Sequence, residues 1–250
     1  MDIPIILWLN LDKDLHRRER IINQFVKYNL KNIRIESIPG SNYKLNIPLE
    51  SEKYIFKRNQ IACSSSHLKA IKYYVDNYES IGDYCLIAED DIDISSIELW
   101  SKSFWIYLEV FKNVDWNTLQ LQMYPYAKVL NKFLNNFKID IPHKTILSQY
   151  YGAGMYLIKY ERACELIREL NLTNKPYIER FVNDINYYNV MEELDRTHAD
   201  HKLIYDKYTY TLPLFFLHEE INSSISKEIR YNSMQTERNL LIKNFMKNIL

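Results

Sequence analysis

Glycine is scarce: the 250-residue chain has four, Gly40, Gly82, Gly152 and Gly154. Neither a Gly-x-Gly-x-x-Gly turn nor a Gly-x-x-x-x-Gly-Lys loop can be written with them, so any bound nucleotide must be held another way. An excess of either charge is also missing. Lys plus Arg number 32 and Asp plus Glu number 32, a net charge of zero, which gives no footprint for a nucleic-acid backbone and disfavours such a partner. The longest apolar runs, such as Ile5 to Leu9 and Phe104 to Leu108, have five residues. A bilayer span needs roughly 20, so no transmembrane helix is expected. Asp2 and the polar Asn10 and Asp12 argue against a signal peptide. Cysteine is limited to Cys63, Cys85 and Cys164. An odd number without metal-type spacing suits a reducing compartment, and a cytoplasmic location is expected.

What is present is ample apolar material, 47% of residues, enough for the core of one domain spanning 1–250. Ile3 to Leu9 reads as a buried strand and Arg17 to Tyr28 as an amphipathic helix with Ile21, Ile22, Phe25 and Val26 on one side. Ile33, Ile35 and Ile38 form a second strand stopped by Pro39-Gly40. This β-α-β opening predicts an α/β fold with a mostly parallel sheet flanked by helices. Residues 41–58 read as irregular, and a helix is predicted from about Ser64 to Tyr78 with a serine as N-cap. Tyr84 to Ala88 is a third strand. Further expectations are a helix over Glu98 to Phe111, a strand over Leu119 to Met123 and a surface insertion over Tyr126 to Lys144. Strands follow on either side of the Gly152-Ala153-Gly154 bend, then helices over Glu161 to Leu170 and 183–194. Residues 203–217 read as β-rich. The tail, 237–250, is a basic amphipathic helix that packs on its own domain more readily than on a membrane, although a peripheral membrane contact is compatible with its pattern.

The third strand runs directly into Glu89, Asp90, Asp91 and Asp93. Carboxylates crowded at the carboxyl end of a strand in an open α/β sheet repel one another unless a cation is present. Hard oxygen ligands of this kind suit Mg²⁺ or Mn²⁺, which bind through one or two carboxylates plus phosphate oxygens. Alternate residues share a side, so Glu89/Asp91 or Asp91/Asp93 can converge, with Asp90 turned away. Asp91 belongs to both pairs and is the first-choice ligand. The bland alternative is a solvated acidic loop with Asp93 as a helix cap.

Asn10, Asp12 and Arg17 lie at the end of the first strand and the start of its helix, a position that a parallel sheet brings near the acidic cluster. There Asn and Asp can bond a base or ribose while Arg17 meets phosphate, unless Asp12 is merely a helix cap. Cys63-Ser64-Ser65-Ser66-His67 reads as a helix start whose N–H groups face an anion.

These blocks carry a resemblance. Asn10-Leu11-Asp12 with Arg17, Ala62-Cys63-Ser64-Ser65-Ser66-His67, Leu86-Ile87-Ala88-Glu89-Asp90-Asp91-Ile92 and Gly152-Ala153-Gly154-Met155-Tyr156-Leu157-Ile158 occur in the order and approximate spacing of glycosyltransferase family 25. The chain resembles that family over roughly residues 5–170, with Ala62 where the family has glycine. The family includes bacterial lipopolysaccharide and animal procollagen galactosyltransferases and relatives in large DNA viruses. The resemblance implies a GT-A type fold, a UDP-sugar donor, a divalent metal (Mn²⁺ or Mg²⁺) and inversion at the anomeric carbon. The implied acceptor is a hydroxyl of a glycan, a lipid-linked glycan or a protein. By position, Glu89, Asp90 and Asp91 become the metal and donor-phosphate motif, Asn10, Asp12 and Arg17 the nucleotide side, and Ser66 and His67 part of the donor wall. Gly152 and Gly154 mark a bend close to substrate.

An inverting displacement needs a base for the acceptor hydroxyl. Asp184 is the first positional candidate and Asp200 the next, with Glu219 and Glu220 as alternatives. Asp93 and His218 are additional candidate metal ligands. Two rival classes remain compatible with the acidic cluster: a metal-dependent phosphohydrolase of nucleotide-sugars, and a transferase-like scaffold that binds UDP without turnover.

Overall fold

A computed structural model of the chain describes residues 2–42, 52–125, 134–145, 150–169, 206–218, 240–248 and 250. The opening is a β-α-β unit. Strand β1 (Ile6–Asn10) leads into helix α1 (Leu15–Lys27) and strand β2 (Asn32–Glu36), which pairs with β1 in parallel. Helix α2 (Glu52–Asp76) and the short α3 (Tyr78–Ile81) then lead to strand β3 (Tyr84–Glu89), parallel to β1 on its other side.

Strand β4 (Ile92–Asp93) is followed by a 3-10 turn over Ile94–Leu99 and helix α4 (Phe104–Leu108). Next come β5 (Thr118–Gln120), β6 (Tyr124–Pro125), β7 (His143–Lys144), β8 (Tyr150–Tyr151) and β9 (Met155–Lys159). Helix α5 (Tyr160–Glu169), β10 (Thr209–Thr211), β11 (Phe216–Leu217) and helix α6 (240–248) complete the described elements. The main sheet has the order β2-β1-β3-β9-β5-β10-β7. Strand β9 runs antiparallel to both β3 and β5, and β7 runs antiparallel to β10. The remaining strands share one direction, which makes the sheet mixed but mostly parallel.

Apolar residues alternate between two cores because successive strand side chains point to opposite faces. Ile6, Trp8, Leu86, Ala88 and Leu157 pack with Ile21 and Phe25 of α1 and Ile242 and Met246 of α6. Leu7, Leu9, Cys85, Ile87 and Tyr156 pack with Leu68, Ile71 and Tyr74 of α2 and Leu166 of α5. Both faces are covered, as a largely parallel sheet requires.

Several expectations needed correction. The apolar stripe of α1 is narrower than predicted: Ile21 and Phe25 are buried, while Ile22 and Val26 face outward. Helix α2 begins well before Ser64, so Ser64–Ser66 lie in mid-helix and no helix start faces a ligand there. Ser65 and Ser66 return their hydroxyls to the carbonyls of Ile61 and Ala62, at 2.9 and 2.7 Å, which satisfies them inside the helix. The helix predicted over Glu98 to Phe111 is instead two 3-10 turns around α4. Strand β5 stops at Gln120 because the N–H groups of Leu121 and Gln122 both reach the Met155 carbonyl, a bulge-like break in the ladder. The basic tail helix does pack on the domain, through Ile242 and Met246, while Leu240 and Leu241 stay exposed. Of the strand predicted over 146–150 only Tyr150 is described, at the start of β8, and the helix at 183–194 lies outside the described residues.

Candidate active site

Parallel pairing puts the ends of β1, β2 and β3 at one edge of the sheet. Asn10 at the end of β1 and Asp90 just past β3 are therefore neighbours although 80 positions apart: Asn10 Nδ2 donates to Asp90 Oδ2 at 2.7 Å. Arg17, one turn into α1, donates to Asp90 Oδ1 at 2.6 Å and stands 3.8 Å from Asp91 Oδ2. Arg20 adds a hydrogen bond to the Asp90 backbone carbonyl. Asp90 is buried and matched at both oxygens.

Asp91 differs. Its Oδ1 is buried and makes no hydrogen bond among the described residues. Burial, followed by repulsion from Glu89, pushes its pKa up to about 7 against the pull of Arg17. Glu89 goes the other way. Burial works to raise it, but the His67 hydrogen bond and charge, with Arg17, leave it below the usual carboxylate range. His67 is fully buried; its Nε2 lies 3.3 Å from Glu89 Oε1 and its Nδ1 3.2 Å from the Tyr156 hydroxyl.

Beside this cluster lies a cleft of about 300 Å³, floored by Glu89, Asp90, Cys63 and Ser66 and edged by the cations Lys13, Arg17 and Arg58. Its remaining wall is the Ser37–Ser41 turn after β2 and the Leu11–Asp14 turn after β1. A cleft at the carboxyl ends of parallel strands, with cations facing clustered carboxylates, is a place where an anionic ligand and a divalent cation can meet.

The family model for glycosyltransferase family 25 (LPS biosynthesis protein) matches residues 3–182, most of the chain and all of this cleft. The chain belongs to glycosyltransferase family 25. It is a glycosyltransferase, and the acidic run and cleft are the natural place to look for its chemistry. No curated protein matches the sequence significantly. One solved structure, a glycosyltransferase involved in the glycosylation of the major capsid of PBCV-1, is similar over 92% of this chain and 98% of its own. Its sequence identity is 10% and its TM-score 0.43.

In this family 25 chain the other candidate residues fall as follows. Asp12 lies outside the cleft lining, largely exposed and paired with Arg18 and Arg34. Ser66 reaches the cleft, but its hydroxyl accepts from the Ile38 N–H at 2.9 Å while bonding back to Ala62, and so ties β2 to α2. Asp93 caps the following turn through Ser95 N at 2.9 Å and stands 3.7 Å from Lys243 of α6. The His218 N–H donates to the Asp91 carbonyl at 2.8 Å, which brings His218 alongside the acidic run. Gly152 and Gly154 press on Gln122: a Cβ at either would come within 2.6 Å of its Oε1, and Gly152 holds a φ of +133°. They do not line the cleft. Asp184, Asp200, Glu219 and Glu220 lie outside the described residues.

The sequence reading missed Lys13, Arg58 and the Cys63–His67–Glu89 group. The first two sit in stretches taken as loop, where no periodicity marks them. The last was legible: Cys63 and His67 are four apart, one helical turn, and so share a face.

Proposed function

We propose that this transferase moves a hexose, galactose or glucose, from a UDP-sugar to a hydroxyl of a glycan or glycosylated protein, with inversion and with a divalent cation on Asp91. The observation that carries the reading is the buried Asp91 Oδ1, which makes no hydrogen bond among the described residues and belongs to the residue after Glu89 and Asp90, the two carboxylates lining a cleft edged by three cations. A buried carboxylate oxygen left without a partner is costly, and a cation is the partner that removes the cost. Mn²⁺ or Mg²⁺ fits this donor set: one or two carboxylates suffice when phosphate oxygens complete the shell. Asp91 would hold the ion, with His218 at the adjoining strand end as a further ligand. Asp90 and Asp93 are already committed to Arg17 and Asn10, and to Ser95 and Lys243. When bound, such a cation offsets charge on the departing diphosphate.

The chain's own groups supply the rest. Lys13, Arg17 and Arg58 meet the donor's phosphates, and the balanced net charge suits a neutral sugar acceptor. Asn10 and Asp90 hold Arg17 in place at the end of β1. Asp184 or Asp200 takes the proton of the acceptor hydroxyl. That assignment rests on the family's downstream pattern, and the family match itself ends at residue 182.

The test is thermal unfolding with UDP and Mn²⁺, alone and together, followed by incubation with UDP-galactose and UDP-glucose. Joint stabilisation that disappears in Asp91→Asn, with sugar transfer to an added acceptor, is the expected result. UDP release without transfer to any acceptor points to a phosphohydrolase, and binding without turnover to a scaffold. Absence of any UDP or Mn²⁺ effect on unfolding overturns the reading.

A further inference from the structure

The floor of the cleft brings together three side chains of a different character from the hard acidic run. Cys63 Sγ, His67 Nε2 and a Glu89 carboxylate oxygen all lie within 4.8 Å of one another. The Nε2 to Oε1 distance is 3.3 Å and the Sγ to Oε1 distance 4.0 Å. Tetrahedral zinc with ordinary bond lengths sets its ligand atoms roughly 3.3–3.6 Å apart. The histidine and glutamate already stand at that separation, and a small rotation of Cys63 brings in the sulfur. Helical spacing puts Cys63 and His67 on one face of α2, and β3 ends opposite them. Behind the group, the Tyr156 hydroxyl sits 3.2 Å from His67 Nδ1, the outer contact that fixes ring orientation and tautomer in metal-binding histidines.

We propose that Cys63, His67 and Glu89 form a three-ligand site for a thiophilic divalent cation of the zinc class, distinct from the hard-cation position at Asp91. Thiolate and imidazole select zinc-like ions, whereas carboxylate and phosphate oxygens select Mg²⁺ or Mn²⁺. Binding releases the Cys63 thiol proton and the Nε2 proton that His67 shares with Glu89 in the metal-free chain. His67 keeps its proton on Nδ1, donated to the Tyr156 oxygen, and presents the Nε2 lone pair to the ion. Cys63 and Glu89 both line the cleft, so the fourth position of such an ion opens towards it. Three protein ligands with an open fourth position are the pattern of a reactive or exchangeable zinc site rather than a closed structural one.

The experiment is a titration of the reduced, chelator-stripped full chain with Co²⁺ as a spectroscopic stand-in for Zn²⁺. A thiolate-to-cobalt charge-transfer band that saturates at one ion per chain and is displaced by Zn²⁺ is expected. Cys63→Ser abolishes the band, Glu89→Gln weakens cobalt binding at least tenfold, and Asp91→Asn leaves the band intact. No band from the folded chain, or a band that survives Cys63→Ser and so belongs to Cys85 or Cys164, overturns the proposal. If Cys63→Ser loses its circular dichroism signature, the unaltered chain decides. Zn²⁺ then slows alkylation of Cys63 at least tenfold while sparing Cys164, and equal rates with and without Zn²⁺ refute the site.

Discussion

Asp90 and Asp91 are adjacent in sequence and differ in what surrounds them. Asp90 faces β1 and α1, where Asn10 and Arg17 occupy its two oxygens. Asp91 stands farther from the same arginine, 3.8 Å through Oδ2; its carbonyl accepts from the His218 N–H, and its buried Oδ1 has no hydrogen bond among the described residues. Pairing makes the first a structural clamp. The second keeps one buried oxygen without a hydrogen bond among the described residues, on a carboxyl group whose pKa is pushed up to about 7. The difference teaches that an acidic run is not one functional unit: adjacent carboxylates that share one arginine differ in how fully their oxygens are matched.

The largest expected effect separates the two by chemistry. Asp91→Asn lowers sugar transfer by about 10²–10³-fold, the share of the barrier a single cation ligand can carry, while circular dichroism stays native. Comparable activity in this variant breaks the contrast. Next, Asp90→Ala strands Arg17 in a partly buried position and lowers unfolding free energy by about 3 kcal/mol. In a chain of this size that moves the melting temperature down by roughly 6–12 °C, measurable by calorimetry. A smaller loss than that from an exposed pair would remove the clamp.

The pH dependence sharpens the same comparison. Asp91 is raised to about 7 in the folded chain, so its contribution to stability is complete below its unfolded value near 4 and is lost as pH rises through about 7. Glu89 is lowered, so its contribution is present above the unfolded value and lost as pH falls through the folded one. Metal-free protein therefore loses stability from Asp91 between about pH 4 and pH 7, and Asp91→Asn flattens that slope in melts across the range. Added Mn²⁺ flattens it as well. The smallest effect is expected from Asp12→Ala, whose carboxylate is largely exposed. Neither melting temperature nor UDP binding should move detectably, since exposed pairs contribute little.

Much of this arrangement was legible in the sequence. The β-α-β pattern of residues 3–38 implies parallel β1 and β2, and parallelism alone brings Asn10 and Arg17 to the end of β3. The alternation argument singled out Asp91 and turned Asp90 away, whereas Asp90 is the one of the two that lines the cleft, and Arg17 reaches both, at 2.6 and 3.8 Å. What was not legible is where burial overrides local signals. Three consecutive serines look like a helix start, yet within α2 they bond back to carbonyls one turn earlier. Asp93 looks like a ligand by spacing, but Ser95 and Lys243 occupy it, and Lys243 arrives from a helix 150 positions away. Gly152 and Gly154 look like a substrate bend, but the Gln122 amide lies against them. Contacts of this kind depend on tertiary partners that no local window contains.

The Asn10–Asp90–Arg17 clamp also carries a kinetic consequence. Its bonds join residues 73 and 80 positions apart, so a loop of that length must close before any of them forms, and long-range closure slows folding. A ribosome-bound chain that has not yet released β3 lacks half of the clamp and all of the acidic run. The clamp and the acidic run beside it thus come together in one step, when the third strand docks beside the first, and not gradually as the chain lengthens.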